Sequence, residues 1–281
     1  MVADTSRVRD EWQAVASGWR RWEPLFQSFT WPLALRMAAT AHVGDGTRVL
    51  DVGCGIGDPT LQVAVLVGPH GRVLGIDLVE DMLVTARERA TALGLGHVEF
   101  RAGDVTTMDL PAGMFDAVLG RWSVIYMADA TAALRRLHDV LAPGGRIAVS
   151  AWAPAEDNPW ITIPMRALDA LRPLPPPDPA APGVFHLSAD GALAGALRSA
   201  GFRDIGQERV RLSQFARDPA EFWGMLTDMA GPLAPLLAAL SPDERAQVAR
   251  AVEAGIAGFR VGDVYRIPAQ AQLAWGERAG V

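Results

Sequence analysis

Between Arg48 and Trp152, short apolar runs alternate with segments in which apolar residues recur every three or four positions. That pattern calls for buried parallel strands joined by helices. The runs predict strands over 48–52, 72–77, 97–101, 115–120 and 145–152, and the longer period predicts helices over 58–67, 80–93 and 129–141. Met82, Ala86, Ala90 and Leu93 give the second helix an inward stripe, which Gly94 ends. Ahead of this block, the segment from Val8 to Ala41 carries Trp12, Trp19, Trp22, Phe26, Phe29 and Trp31. Its first three tryptophans sit near helical spacing, and Pro24 and Pro32 are read as breaks in a helical pair. Downstream, residues 153–187 hold nine prolines around one helical piece, Ile161 to Leu171, and read as an ordered loop or lid. Leu187-Ser188 offers an N-cap for a helix through Ala200, Gly201 stops it, and Ile205 to Phe215 reads as strand. Residues 218–257 contain two or three helices, starting at Asp218-Pro219 and Ser241-Pro242. A last strand over 265–275 is expected antiparallel to 205–215.

The stretch from Arg48 to Thr60 organises the rest. Gly53, Gly55 and Gly57 follow the first strand at alternate positions, where the backbone must turn sharply or admit a ligand. Asp58 is expected to cap the next helix, with Pro59 in its first turn. A helix start at the carboxyl end of a strand offers free N–H groups to a ligand. The spacing is D-x-G-x-G-x-G rather than G-x-G-x-x-G, and Asp58 stands where a dinucleotide site has its third glycine. A carboxylate there repels a pyrophosphate, while Asp51 can face an ammonium group. The ligand this favours is a cationic, phosphate-free nucleoside, S-adenosylmethionine.

Several ordered motifs extend the argument. Leu50–Gly57, Val73–Leu78, Phe100–Val105 and Phe115–Gly120, with the turn Leu141–Ile147, resemble the successive motifs of the class I S-adenosylmethionine-dependent methyltransferases. The subgroup they resemble is that of the ubiquinone and menaquinone methyltransferases and the small-molecule methyltransferases of bacterial secondary metabolism. The resemblance implies an α/β, Rossmann-like, mostly parallel seven-stranded sheet with helices on both faces, an N-terminal helical cap and helical insertions. The expected division is a cap over 1–46, a cofactor-binding core over 47–152, a proline-rich lid over 153–187, and the rest of the core over 188–281 with its insertion at 218–257. The activity implied is transfer of a methyl group to an O, C or N atom of a small, fairly apolar metabolite, releasing S-adenosylhomocysteine. Two alternatives stay open: a protein that binds the cofactor without transferring methyl, as a cyclase or sensor, and a nicotinamide or flavin oxidoreductase.

Composition narrows the partners. A formal net charge of −6 and the absence of a Lys/Arg block disfavour nucleic acid and anionic membrane. No apolar run approaches the ~18 residues of a membrane span, and the opening residues are polar, so a cytoplasmic location is expected. A homodimer is compatible with all of this. The lone cysteine, Cys54, leaves no route to an intramolecular disulfide or a Cys-based zinc site and reads as a small packing residue.

Candidate site residues follow from position. Asp77 ends the second strand about twenty residues beyond the glycine turn, where a carboxylate can accept both ribose hydroxyls. Leu78 and Met82 would lie against the adenine, or serve only as core. Asp104, after Gly103, can accept the adenine amino hydrogens or form a turn, and Val105 offers its N–H to a ring nitrogen. Arg121 and Trp122 follow the fourth strand and face the methionine half; Arg121 would pair with the cofactor carboxylate, orient a substrate, or bridge Asp51 or Asp58. No metal is expected, because Gly120-Arg121-Trp122-Ser123 supplies no carboxylate. The candidate base is His186, with His138 behind it, and Tyr126 is a candidate acid or orienting hydroxyl. Trp31, Trp122, Trp160, Phe185, Phe222, Trp223 and Met225 are expected to roof an apolar acceptor site.

Overall fold

The apolar runs Arg48–Val52, Arg72–Asp77 and Phe115–Arg121 leave no face in water, and the strands pair accordingly, with the more polar Val98–Ala102 at the edge. In the computed structural model, which describes residues 5–174 and 181–280, β1 (Arg48–Val52), β2 (Arg72–Asp77), β3 (Val98–Ala102), β4 (Phe115–Arg121) and β5 (Leu141–Trp152) run parallel. β8 (Val264–Glu277) runs antiparallel between β5 and β6 (Arg203–Ala216), which points the same way as the first five, and the order is β3-β2-β1-β4-β5-β8-β6. The two-residue β7 (Arg260–Val261) hangs on β8, so the expected seven strands become eight among the described residues. Strand order reverses between β1 and β4. Crossovers to either side of that point are right-handed, so their helices fall on opposite faces and a crevice opens at the strands' carboxyl ends.

The helices are α1 (Thr5–Gln13), α2 (Ala16–Thr40), α3 (Thr60–Val67), α4 (Glu80–Ala92), α5 (Ala130–Val140), α6 (Pro159–Leu171), α7 (Ala192–Ser199), α8 (Pro219–Met229), α9 (Ala234–Ala238) and α10 (Pro242–Ile256). Asp129 caps α5, Asp218 caps α8, and Ser241 with Glu244 forms a capping box on α10. The expected breaks at Pro24 and Pro32 are not there: both prolines lie inside the unbroken α2. A proline frees one carbonyl and removes one donor. Here the loss is offset by burial of Phe26, Phe29, Leu33 and Met37 along one face, the last two with no exposed surface.

Two other helix starts differ from expectation. α3 begins at Thr60 rather than Asp58, and no side chain caps it, because the Asp58 carboxylate is held by other partners described below. α7 begins at Ala192 after Gly191 in the left-handed region, not at Ser188. Of the proline-rich stretch, Pro175, Pro176, Pro177 and Pro179 lie outside the described residues.

Candidate active site

The carboxyl ends of β1 and β2 are tied together by Asp77. Its Oδ2 accepts the Gly55 N–H at 2.8 Å and its Oδ1 accepts the Val79 N–H at 3.0 Å. Burial pushes this carboxyl's pKa up, against the pull of those backbone donors. Each oxygen keeps acceptor capacity after one backbone bond. The turn it holds needs glycine: Gly53 has φ +69, and a Cβ there would lie 2.5 Å from the Ser123 Cβ. At the end of β3, Asp104 Oδ1 accepts from the Thr106 N–H at 2.8 Å and the Thr106 hydroxyl at 2.6 Å. Asp104 therefore shapes a turn, and its second oxygen accepts a 3.3 Å bond from Thr5 at the start of α1.

Beneath the turn lies a polar network that links three helices. Arg89 on α4 donates to Asp58 Oδ2 at 2.9 Å, to the Ile56 carbonyl at 2.6 Å and to Glu23 of α2 at 2.7 Å. Gln62 and Gln27 also donate to Asp58. Arg121, at the end of β4 rather than beyond it, gives Nη2 to the backbone carbonyl of Asp58 at 2.8 Å and leaves Nη1 without a partner. Its guanidinium carbon sits 5.6 Å from the Phe26 ring centroid and 5.3 Å from that of Trp122, and its ionisation is pulled down by burial. Neither carboxylate forms the ion pair with Arg121 that was one of its expected roles.

A cavity of about 710 Å³ opens over this floor. One end is lined by Gly53, Gly55, Asp77, Leu78, Met82, Gly103, Asp104 and Val105, the other by Trp122, Trp152, Trp160, Leu168, Trp223 and Leu226. Trp12 and Trp19 from the cap close over it, 5.9 Å apart and edge to face, with Tyr126 5.3 Å from Trp12. Trp22 turns away and donates to Asp228 at 2.9 Å.

Most of the expected site residues thus meet in one cavity, and some do not. Asp51 lies below its wall, fully buried, accepting the Thr60 hydroxyl at 2.5 Å, with its pKa pushed up to about 6 by desolvation. It faces α3 rather than the ligand space. His186 does not line the cavity, although Val184 does, and His138 packs at 5.1 Å against Phe202. Trp31 is 43 % exposed, and Phe222 and Met225 are core, so of the expected roof only Trp122, Trp160 and Trp223 reach the site. Lining residues that were not among the expected site residues are Arg136, Trp152 and the polar Ser123, together with Asp58, which was expected only as a helix cap or a partner of Arg121. Arg136, which donates to the Val105 carbonyl at 2.9 Å, carries a helix-face signal of its own, four residues after Ala132 on the same wall.

A family model described as a methyltransferase domain matches residues 44–170. The aklanonic acid methyltransferase DauC of Streptomyces sp. strain C5 is 37 % identical over 150 residues, 53 % of this chain and 68 % of that protein. The chain belongs to the class I S-adenosylmethionine-dependent methyltransferases. The nocamycin O-methyltransferase of Saccharothrix syringae is 36 % identical over 183 residues, covering 62 % of this methyltransferase and 65 % of the relative. The phosphoethanolamine N-methyltransferase 2 of Haemonchus contortus, solved with phosphomonomethylethanolamine and S-adenosylhomocysteine, shares the fold at a TM-score of 0.62 and 18 % identity, over 96 % of this chain and 60 % of that one. The cavity's donor set fits the family's cofactor: a carboxylate with spare acceptor capacity for a diol, a glycine turn that a Cβ would obstruct, and a buried guanidinium nitrogen without a partner. Among the described residues no group of three or more His, Cys, Asp or Glu is placed to hold a metal ion, and no helix is long and apolar enough to cross a membrane.

Proposed function

We propose that this methyltransferase moves the methyl group of S-adenosylmethionine to an oxygen of a small, apolar, ring-bearing metabolite. The observation that carries the reading is the division of the cavity into a glycine-and-carboxylate end and a tryptophan-rich end. An apolar pocket of this size takes a ligand much larger than water, and its few polar groups orient it. The names of two relatives, an aklanonic acid methyltransferase and a nocamycin O-methyltransferase, support an organic acceptor and an oxygen nucleophile.

The bound cofactor supplies an activated methyl on a good leaving group. The chain's part is alignment and exclusion of water. Asp77 takes the ribose hydroxyls, Asp104 and Val105 the adenine edge, with Leu78 and Met82 on its face. Gly53, Gly55 and Gly103 leave room, and Arg121 Nη1 takes the methionine carboxylate beside Trp122. Tyr126, whose phenol is pushed well above its ordinary pKa by burial, serves as a neutral hydroxyl that orients by donation. A cytoplasmic location and a homodimer belong to the same reading, and fractionation and light scattering test them.

The primary experiment is a thermal-shift comparison with S-adenosylmethionine, S-adenosylhomocysteine and NADH, followed by S-adenosylhomocysteine release with 2-naphthoate, 2-naphthol and 2-naphthylamine. Stabilisation by the two adenosyl sulfur compounds and turnover of an oxygen acceptor are expected. Stabilisation by NADH alone, or turnover confined to the amine, overturns the reading.

A further inference from the structure

The tryptophan-rich end of the cavity carries hydrogen-bond donors that the chain itself does not use. Trp122 and Trp160 both line it, and the indole N–H of each is buried without a partner among the described residues. Buried indoles ordinarily find an acceptor, and leaving two unpaired in one cavity wall is costly. The Trp122 backbone is also held at φ 54, in the left-handed region that bulky residues avoid, with its N–H bonded to the Ser150 hydroxyl at 3.1 Å. A strained backbone that fixes one side chain in a cavity is a mark of a site under functional constraint.

Ring geometry sets what these side chains offer. Trp152 stacks on Trp122 at 4.0 Å and 14°, and the Arg121 guanidinium lies over the Trp122 ring. Phe29 stacks on Trp152 at 6.2 Å and 13°. Trp122 and Trp152 thus each have a face occupied by the other, and Trp160 meets Trp152 edge-on at 4.9 Å and 61°. This wall combines stacked rings with two N–H donors and a guanidinium.

We infer that this end is an oxygen-recognition subsite, at which Trp122 and Trp160 donate their indole N–H groups to oxygens of a planar, oxygenated arene. The inference rests on the methyl-acceptor reading above and names the acceptor's chemistry. A saturated or purely hydrocarbon ring matches the apolar area but leaves both donors unpaired. An oxygenated arene, a quinone included, satisfies both donors with its oxygens. Trp122 and Trp160 are then specificity-determining residues, distinct from those proposed to hold the nucleoside.

The test titrates the full-length protein, loaded with S-adenosylhomocysteine, with two neutral probes that differ only in their carbonyl oxygens: 2-methyl-1,4-naphthoquinone and 2-methylnaphthalene. Calorimetry should show the quinone binding at least about tenfold tighter than the hydrocarbon. Trp160→Phe and Trp122→Phe keep a ring and remove the N–H, and each should shrink that ratio to about threefold or less. Far-UV circular dichroism and the thermal midpoint report whether each variant is folded. Should Trp122→Phe, with its strained backbone, fail that control, the half-buried Trp160→Phe decides alone. A ratio unchanged by the substitutions, as expected if trapped water pairs the indoles, overturns the inference, and so does a wild type that binds the quinone no better than the hydrocarbon. Failure of the wild type to bind S-adenosylhomocysteine at all counts instead against the function proposed above.

Discussion

Arg89→Met should be the most damaging single change outside the hydrophobic core. Asp58, whose side chain is 3 % exposed, has Arg89 as its only cationic partner within salt-bridge distance among the described residues, at 2.9 Å. The same guanidinium also holds the Ile56 carbonyl and Glu23 of the cap. Removing one member of a buried ion pair costs about 3–5 kcal/mol, because the other charge is left uncompensated. Gln62 and Gln27 still reach Asp58, and Arg89 is 18 % exposed, which places the loss near the lower bound, about 3 kcal/mol. In a chain of this size that corresponds to a fall of roughly 6–10 °C in Tm. The assay is urea unfolding of four proteins: wild type, Arg89→Met, Asp58→Asn and the double variant. If the cost is the stranded charge, Asp58→Asn in the Arg89→Met background should recover most of it. An Arg89→Met loss below about 0.5 kcal/mol, or a double variant no more stable than Arg89→Met, refutes the reasoning.

Three further outcomes follow from the same structure. Burial raises the Asp51 pKa to about 6, above the unfolded value near 3.9, so the folded state binds its proton more tightly. Asp51 therefore leaves stability intact below about pH 4 and removes about 3 kcal/mol as pH rises to 6, an effect that levels off above it. Asp51→Asn should accordingly gain stability relative to wild type between those limits in urea titrations, and a gap that does not change with pH refutes this. Gly53→Ala should lower Tm and weaken S-adenosylhomocysteine binding, since its Cβ meets the Ser123 Cβ at a positive φ; adding Ser123→Gly should recover part of the Tm loss, and no recovery would show that the clash is not the cause. Asp77→Ala should weaken cofactor binding by about 1–3 kcal/mol in calorimetry, whereas His186→Ala, at a residue that does not line the cavity, should leave S-adenosylhomocysteine release unchanged.

The strand-and-helix alternation from Arg48 to Trp152 was legible because β1, β2 and β4 are buried on both faces and the helices between strands bury an apolar side, so burial itself writes the pattern; the edge strand β3, with Glu99 and Arg101 exposed, writes it more faintly. The end of β2 was legible for a related reason, since Asp77 is a polar residue closing an apolar run, whereas the end of β3 was marked by Gly103 before Asp104. The continuity of α2 was not, because a local rule about proline says nothing of the apolar face that packs the helix onto the sheet. Nor was the choice among aromatics. Trp12, Trp19 and Trp22 share helical spacing, yet only the first two reach the cavity, since the indole of Trp22 finds Asp228 more than two hundred residues away.

The residues whose surroundings departed most from expectation, Asp51, Asp58 and Arg121, are neighbours in space, and one physical cause accounts for all three. Local reading treats a charged residue near a strand or helix end as free to cap or to meet a ligand. Here three ionisable groups are enclosed under one turn, and burial makes each seek whatever donor or acceptor lies nearest. Asp58 turns from the helix start to Arg89, Asp51 turns to Thr60, and Arg121 turns to the Asp58 carbonyl, keeping one nitrogen unspent. The glycine turn is thereby supported from below by the same Arg89 that holds the cap from the side through Glu23. Loss of that guanidinium should therefore weaken cofactor binding as well as folding, although Arg89 itself does not line the cavity. An Arg89→Met protein with reduced Tm but unaltered S-adenosylhomocysteine affinity would show that the support serves the fold alone.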